Sequence, residues 1–307
     1  MRGLSKQFMS DLETGVLHPF LDRVRNDQTL DLQIRNNNLN IYYRGGNLIG
    51  ISNRGGKYKA WFDESYSGKK GSRKRIPARP EVINGSADVC SWLASFPASK
   101  QMMDRSFIRK KGEEREYQQL VVRDNNFGGV SRATDYYICD LEYAVGPNQF
   151  DMVGVEWPST PAARRTASGR RLVLIEMKYG DKALTGEAGL VDHVRKIDAF
   201  LANKAQVGEM KSSMVTVFKQ KHQLGLMNCT HPLKSFSGED PLVVMLLANH
   251  DPGKRNLKQE LTQLASMHFN SRFELKFATS TFMGYGLFEP ALLTMDELLA
   301  RFGDCIR

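Results

Sequence analysis

The sequence predicts an α/β protein in which helices flank a mixed central sheet, with a small antiparallel β-meander before it. Two continuous apolar runs, 172–175 and 242–248, are typical of strands that are buried on both faces. The segment between them has apolar residues at helical spacing, as expected for the crossover that parallel strands require. Near the amino terminus, short apolar runs alternate with glycine-rich turns, which indicates hairpins.

Composition narrows the function classes. The 307 residues are 41% hydrophobic, which suffices for a sizeable core. No apolar run approaches membrane length and no signal-peptide pattern opens the chain, so we expect a cytoplasmic protein without membrane contact. The four cysteines are scattered, which favours neither a zinc motif nor a disulfide framework.

The charge favours nucleic acid as a partner. The net charge is +9, and lysine and arginine neutralise phosphates whatever the base sequence. The basic residues are also clustered, at 69–79, at 105–111 and at Arg164, Arg165, Arg170 and Arg171. We therefore expect a nucleic-acid partner. The charge clusters do not distinguish DNA from RNA, and DNA is the partner that we expect.

Residues 1–64 are predicted to form an appendage. Leu4, Phe8 and Leu12 recur at helical spacing before Gly15, and apolar runs at 39–43, 48–51 and 58–62 form the meander. This small sheet either contacts DNA or a second copy, or it packs on the main domain. Residues 65–85, rich in glycine, serine and basic side chains, are predicted to be a linker, and 86–307 a single α/β domain.

The second half of a predicted helix at 98–123 begins with an acidic cluster of Glu113, Glu114 and Glu116. Glu113 lies closest to the apolar face of Tyr117, and Glu114 and Glu116 lie further round the helix. Each of these glutamates either faces a functional site or is a solvated helix residue that pairs with Lys110 or Arg109. The remaining elements follow in order: strands at 134–145, 148–157, 170–180, 242–249 and 273–282, and helices at 186–205, 207–224, 257–267 and 295–302.

The pattern Glu176-Met177-Lys178 ends a buried strand. Successive side chains of a strand alternate faces, so Glu176 and Lys178 share one surface, at the point where burial ends. A hairpin brings Asp151, which opens the preceding strand, beside Glu176. Two other E-x-K patterns serve as internal comparisons: Glu209 to Lys211 lies in a helix, and Glu274 to Lys276 is predicted to be a solvated pair.

Two carboxylates and an amine at one strand end suit a divalent cation and a water. Mg²⁺ or Mn²⁺ prefers hard oxygen ligands and keeps several waters, so Asp151 and Glu176 would leave positions open for a phosphate oxygen. Lys178 would orient the water or stabilise negative charge in the transition state. The other interpretation of the three residues is an ion pair at a strand terminus.

Phe150-Asp151 followed by Glu176-Met177-Lys178 resembles the PD-(D/E)xK (restriction-endonuclease-like) nuclease superfamily over roughly residues 98–250, with phenylalanine in place of the usual proline. The resemblance implies an αβββαβ core and metal-dependent hydrolysis of nucleic-acid phosphodiester bonds. It implies Asp151 and Glu176 as Mg²⁺ or Mn²⁺ ligands, with Asp151, Glu176 and Lys178 as the catalytic set. Glu113 would be a further metal ligand, with Glu114, Glu116 and Glu142 as alternatives.

Other side chains near the predicted site have two interpretations. Arg164 and Arg165 lie in a loop that either overhangs the site and contacts phosphates or is an unstructured insertion. His193 either touches substrate or is a structural residue on the flank of its helix. The sequence leaves open a homodimer. The alternative functions are a non-catalytic nucleic-acid-binding or interaction module on the same fold, and a hydrolase of another phosphoester.

Overall fold

The structure, a computed structural model, describes residues 2–67, 79–109, 112–128, 130–251, 255–280, 289 and 292–304. The chain divides into two compact units: Met1–Gln119 with Lys219–Met227, and Leu120–Phe218 with Asn228–Arg307. Of the basic tract at 69–79, only Arg79 lies within the described residues. None of the described helices is long and apolar enough to cross a membrane.

The first unit contains a five-stranded antiparallel sheet whose strands lie in chain order. These are β1 (Leu30–Ile34), β2 (Asn38–Tyr43), β3 (Gly46–Arg54), β4 (Lys57–Trp61) and β5 (Val82–Ile83). The turn between β3 and β4 is Gly55-Gly56, and both residues have positive φ, 60° and 82°, as a two-residue turn between antiparallel strands requires. Alternating side chains of β4 are exposed and buried, so one face of the sheet carries the core.

Helices α1 (Lys6–Glu13), α2 (His18–Asn26) and α3 (Ser86–Arg109) belong to the first unit. The hydroxyl of Ser5 caps α1 by accepting a hydrogen bond from the Phe8 N–H. Helix α3 contacts β3, β5 and α2, so the contacts group it with the first unit, whereas the sequence assigned 86–307 to one domain. Strand β5 falls within the predicted linker at 65–85 and pairs with β4, whereas residues 68–78 of that linker lie outside the described residues.

The predicted helix at 98–123 is two helices. Helix α3 begins twelve residues before the predicted start and contains Pro97, and α4 (Glu113–Asn126) begins after Gly112. Residues 110 and 111, between the two helices, lie outside the described residues. The division between the two units falls within α4, and again within α7 (Lys204–Gln223).

The second unit contains a five-stranded mixed sheet in the order β10-β9-β8-β7-β6. Strand β7 is antiparallel to both of its neighbours, and β8, β9 and β10 are parallel. Strand β9 is buried at every position, as expected for a parallel strand covered on both faces. The strands are β6 (Tyr136–Val145), β7 (Asn148–Glu156), β8 (Arg171–Tyr179), β9 (Leu242–Ala248) and β10 (Glu274–Ser280).

Helices make the parallel connections of this sheet. Helix α6 (Leu190–Ala202) and α7 lead from β8 to β9, and α8 (Arg255–Ala265) leads from β9 to β10. Helix α6 buries Leu190, Val194, Ile197 and Leu201, the apolar stripe read from the sequence. The short α5 (Pro161–Arg164) and the closing α9 (Met295–Asp304) complete the elements. The chain is therefore mixed α/β, with one antiparallel and one mixed sheet.

Candidate active site at the end of the central strand

The strand pair β7 and β8 brings Asp151 to the end of β8 that carries Glu176. Met152 pairs with Ile175 in the antiparallel register, and one further step along the two strands leads to Asp151 and Glu176. The Asp151 carboxylate reaches β8 directly, because its Oδ2 accepts a hydrogen bond of 2.8 Å from the N–H of Met177. Residues 26 positions apart in the chain therefore meet at one strand end.

Glu176 and Lys178 face the same way, as strand alternation predicts. The Lys178 ammonium nitrogen lies 3.0 Å from Glu176 Oε1. The two residues are only 2% and 3% exposed. The sequence placed these charges where burial ends, but both belong to the core, because β8 lies between β7 and β9 in the middle of the sheet.

His193 is the third member of this cluster. Its Nδ1 lies 2.6 Å from Glu176 Oε1, and its side chain is 20% exposed. The buried stripe of α6 fixes the helix against the sheet, and His193 lies on its flank, as the sequence indicated. No sequence pattern pointed to Glu176 as its partner, because the contact joins α6 and β8, and the way two elements pack has no local signature in the sequence.

Two neighbouring side chains, His193 and Lys178, keep Glu176 ionised. Burial alone raises the pKa of this carboxyl, but the hydrogen bond from His193 and the charge of Lys178 outweigh it, and the net pKa is lowered. The ionised form is therefore favoured at neutral pH despite burial. Among the described residues, Glu176 is the only group that pairs with the Lys178 ammonium.

His250 lies at the same edge and was missed by the sequence reasoning. It follows β9, and its Nε2 lies 3.0 Å from the carbonyl oxygen of Lys178. Its Nδ1 is 3.6 Å from Asp181 Oδ1, and burial lowers the pKa of the imidazole. The available signal was topological: the carboxyl ends of parallel neighbours such as β8 and β9 lie at one edge of a sheet.

The acidic candidates outside β7 and β8 have different positions. Glu113 is the first residue of α4 and belongs to the first unit, so its role as a ligand stays a prediction. Glu116 forms a two-pronged, half-buried ion pair with Arg44 at 2.8 and 2.9 Å, whereas the sequence offered Lys110 or Arg109 as its partner. Glu142 lies on β6 with a φ of 53°, an unusual backbone conformation for a glutamate. Within the described ranges, no group of three or more His, Cys, Asp or Glu side chains is arranged to hold a metal ion.

The prediction that Arg164 and Arg165 overhang this site is wrong. Arg164 stacks on Tyr137, with its guanidinium carbon 4.6 Å from the ring centroid, and donates a hydrogen bond to the Thr134 carbonyl. Thr134 and Tyr137 lie at or just before the start of β6. Asp151, on the neighbouring strand β7, lies beside the other end of β6 in the register. The loop after β7 leaves the sheet at the far end of the strand, because the strand runs away from Asp151.

The other two E-x-K patterns differ from Glu176 and Lys178, although the pair on β10 is less solvated than the sequence predicted, because the Lys276 side chain is only 14% exposed. Glu209 and Lys211 lie in α7. Glu274 and Lys276 are 3.3 Å apart on β10, but the Glu274 side chain is 44% exposed and both residues have further ion-pair partners. Only the Glu176 pair is buried and has an aspartate of the neighbouring strand bonded to the intervening amide.

Comparison with family models, with curated proteins and with solved structures finds no match to this chain. The chemistry of the site therefore rests on its geometry.

Proposed function

We propose that the protein is a metal-dependent nuclease that hydrolyses nucleic-acid phosphodiester bonds, with DNA as the expected substrate. The observation that carries this proposal is the meeting of Asp151, Glu176 and Lys178 at one end of the β7–β8 pair. The chain order α4, β6, β7, β8, α6 with α7, and β9 agrees with the αβββαβ core that the resemblance to PD-(D/E)xK nucleases implies. The net charge of +9 supports a polyanionic substrate.

The donor set suits a hard divalent cation. Asp151 and Glu176 contribute carboxylate oxygens, which Mg²⁺ and Mn²⁺ prefer. Glu176 binds Lys178 and His193 through Oε1 alone, and no donor among the described residues bonds to its Oε2. Asp151 and Glu176 would hold the ion, and Glu113 is the further ligand proposed from the sequence. Such an ion, when bound, lowers the pKa of a coordinated water and screens phosphate charge.

The protein side chains have distinct roles in this proposal. The Lys178 ammonium lies beside Glu176, and its charge stabilises the negative charge that develops on the phosphate. His193, which is partly exposed, contacts Glu176 from helix α6 and fixes the direction of its carboxylate. The Met177 amide fixes Asp151 in the same way. These contacts pre-organise the charged groups before substrate arrives.

The test uses cleavage with a matched control. Plasmid, single-stranded DNA and RNA are incubated with Mg²⁺ or Mn²⁺, and at least one is expected to be cleaved. Lys178→Ala is expected to abolish cleavage with the circular-dichroism spectrum retained, because it removes the charge beside Glu176. Lys276→Ala changes the lysine of the same E-x-K pattern on β10 and is expected to leave cleavage intact. Activity that survives both Lys178→Ala and Glu176→Ala would remove the assignment.

One observation favours the second candidate, a non-catalytic nucleic-acid-binding module. The Glu176 Oε1 is already shared by Lys178 and His193, so the buried charges are balanced without a cation. Such a module binds the same substrates in the presence and absence of divalent ions and cleaves none of them. The cleavage assay, run beside a binding assay in EDTA, distinguishes the two.

A further inference from the structure

The outer face of β4 carries an exposed aromatic ring in line with two lysines. Lys57, Lys59 and Trp61 are exposed, while Tyr58 and Ala60 between them are buried. Side chains two apart in a strand share a face, so the three residues form a row about 14 Å long, at ~3.4 Å per residue. In the register, Arg54 on β3 lies opposite Lys57 and adds a third cation to this row.

The ring of Trp61 is held open as a platform. Trp61 lies directly opposite Gly50, and a Cβ at Gly50 would come within 2.1 Å of the indole Cζ2. The indole therefore occupies the space above the Gly50 backbone, which only glycine leaves free. The residue is 41% exposed, and no aromatic or cationic side chain of the described residues stacks on its ring. A second planar group has room to stack there.

The charges beside the ring are available to a ligand. Within the described part of the chain, neither Arg54 nor Lys57 has a carboxylate in ion-pair range. Lys59 has one, Glu81 at 3.4 Å, but the two side chains are 51% and 77% exposed. Exposed pairs of this kind contribute little, so the Lys59 ammonium exchanges Glu81 for a phosphate at low cost.

We propose that the face formed by Arg54, Lys57, Lys59 and Trp61 binds single-stranded nucleic acid, with phosphates on the cations and an unpaired base on the indole. Stacking platforms beside positive grooves are how single strands are held without sequence preference. A duplex does not fit this chemistry, because its base faces are covered by their neighbours. The inference rests on the proposed function for its substrate class and adds a binding face outside the Asp151 site.

The tryptophan content of the chain gives a direct test. The chain has three tryptophans, and Trp92 and Trp157 are 3% and 1% exposed, so Trp61 alone responds to a ligand at the surface. A single strand of about 12 nucleotides, as DNA or as RNA, is titrated into the unaltered protein in EDTA, where metal-dependent cleavage cannot occur. The expected result is quenching of the exposed indole emission by either strand and not by the matching duplex.

The variants are compared by their affinity for a labelled strand, which is measured by fluorescence anisotropy. Trp61→Ala is expected to weaken binding by about 5- to 100-fold, and Trp61→Phe to retain most of the affinity. Lys57→Ala with Lys59→Ala is expected to reduce the slope of log K against log salt by about 0.7 per lysine. Lys6→Ala with Lys219→Ala removes two exposed lysines of the same unit and is expected to change neither quantity.

Three outcomes overturn the proposal. The first is strand binding without any change in Trp61 emission, and the second is no strand binding at all. The third is a dimer in sedimentation that Trp61→Ala dissociates, which makes this face a contact between copies of the chain. Failure of the nuclease proposal looks different, because cleavage is then absent while quenching in EDTA persists.

Discussion

Removing Glu176 tests whether the buried ion pair is organised as described. Glu176→Ala leaves the Lys178 ammonium 3% exposed and without another partner among the described residues. Removing one member of a buried pair typically costs about 3–5 kcal/mol, because the remaining charge is desolvated and uncompensated. We expect a loss of this size in the free energy of opening of the second sheet.

The reciprocal change is expected to cost less. After Lys178→Ala, Glu176 still has His193 Nδ1 at 2.6 Å, so its carboxylate keeps a charge-assisted hydrogen bond. We expect about 1–3 kcal/mol, the cost of one hydrogen bond to a charged group. We therefore expect Glu176→Ala to be more destabilising than Lys178→Ala, because Glu176 has a second partner, His193, among the described residues and Lys178 has none.

The assay must report the second unit alone, since a chain with two compact units need not unfold in one step. Hydrogen exchange of the β8 and β9 amides, measured at pH 7.5 in EDTA, gives the free energy of opening of this sheet. Glu274→Ala is the matched control: it removes the glutamate of the E-x-K pattern on β10, whose side chain is 44% exposed, and is expected to cost no more than about 1 kcal/mol. Equal losses for Glu176→Ala and Glu274→Ala, or a larger loss for Lys178→Ala, would refute the reasoning.

Two further predictions concern pH and stability. The Asp27 carboxyl loses solvent on burial, which raises its pKa, but hydrogen bonds from Lys100 and Thr29 leave it lowered; Lys100→Met is therefore expected to cost about 1–3 kcal/mol at pH 7. That difference should shrink as the pH falls below about 3.9, where Asp27 protonates in the unfolded chain, and a pH-independent difference in urea unfolding contradicts it. Burial lowers the pKa of His250, so the unfolded chain takes up the proton first and stability should fall as the pH drops below about 6.5. His250→Asn is expected to reduce this pH dependence of the opening free energy, measured by hydrogen exchange of the β9 amides. An unchanged pH dependence would show that other groups produce it.

Much of the second sheet could be predicted because its signals are local. Strand β9 is a continuous apolar run between turn residues, and α6 repeats its apolar residues at helical spacing. The alternation of side chains along β8 was enough to put Glu176 and Lys178 on one face, which their 3.0 Å contact bears out. These patterns depend only on the period of one element.

The elements that escaped prediction lack such signals. Helix α2 and strand β1 are nine and five residues long, too short for periodicity to stand out from the preceding helix. The sequence also gave no reason to extend α3 back past Pro97, because proline usually interrupts a helix interior. His193 and His250 lie at the site only because their elements pack beside β8. The position of the Arg164 loop depends on the end of β7 at which the chain leaves the sheet.

A double substitution of Glu176 and Lys178 tests whether their charges are needed for folding or only for cleavage. Replacing both members of a buried ion pair by apolar residues of similar size is often neutral or stabilising, whereas removing one is costly. We therefore expect that the fold does not require charge at the end of β8, where Glu176 and Lys178 are nearly as buried as Leu172 and Leu174 on the same face. The double change Glu176→Met with Lys178→Met is expected to recover the opening free energy lost in Glu176→Ala while leaving cleavage absent. A double variant as unstable as Glu176→Ala would mean that the charges are needed for packing, and would remove the energetic reason for assigning them a chemical role.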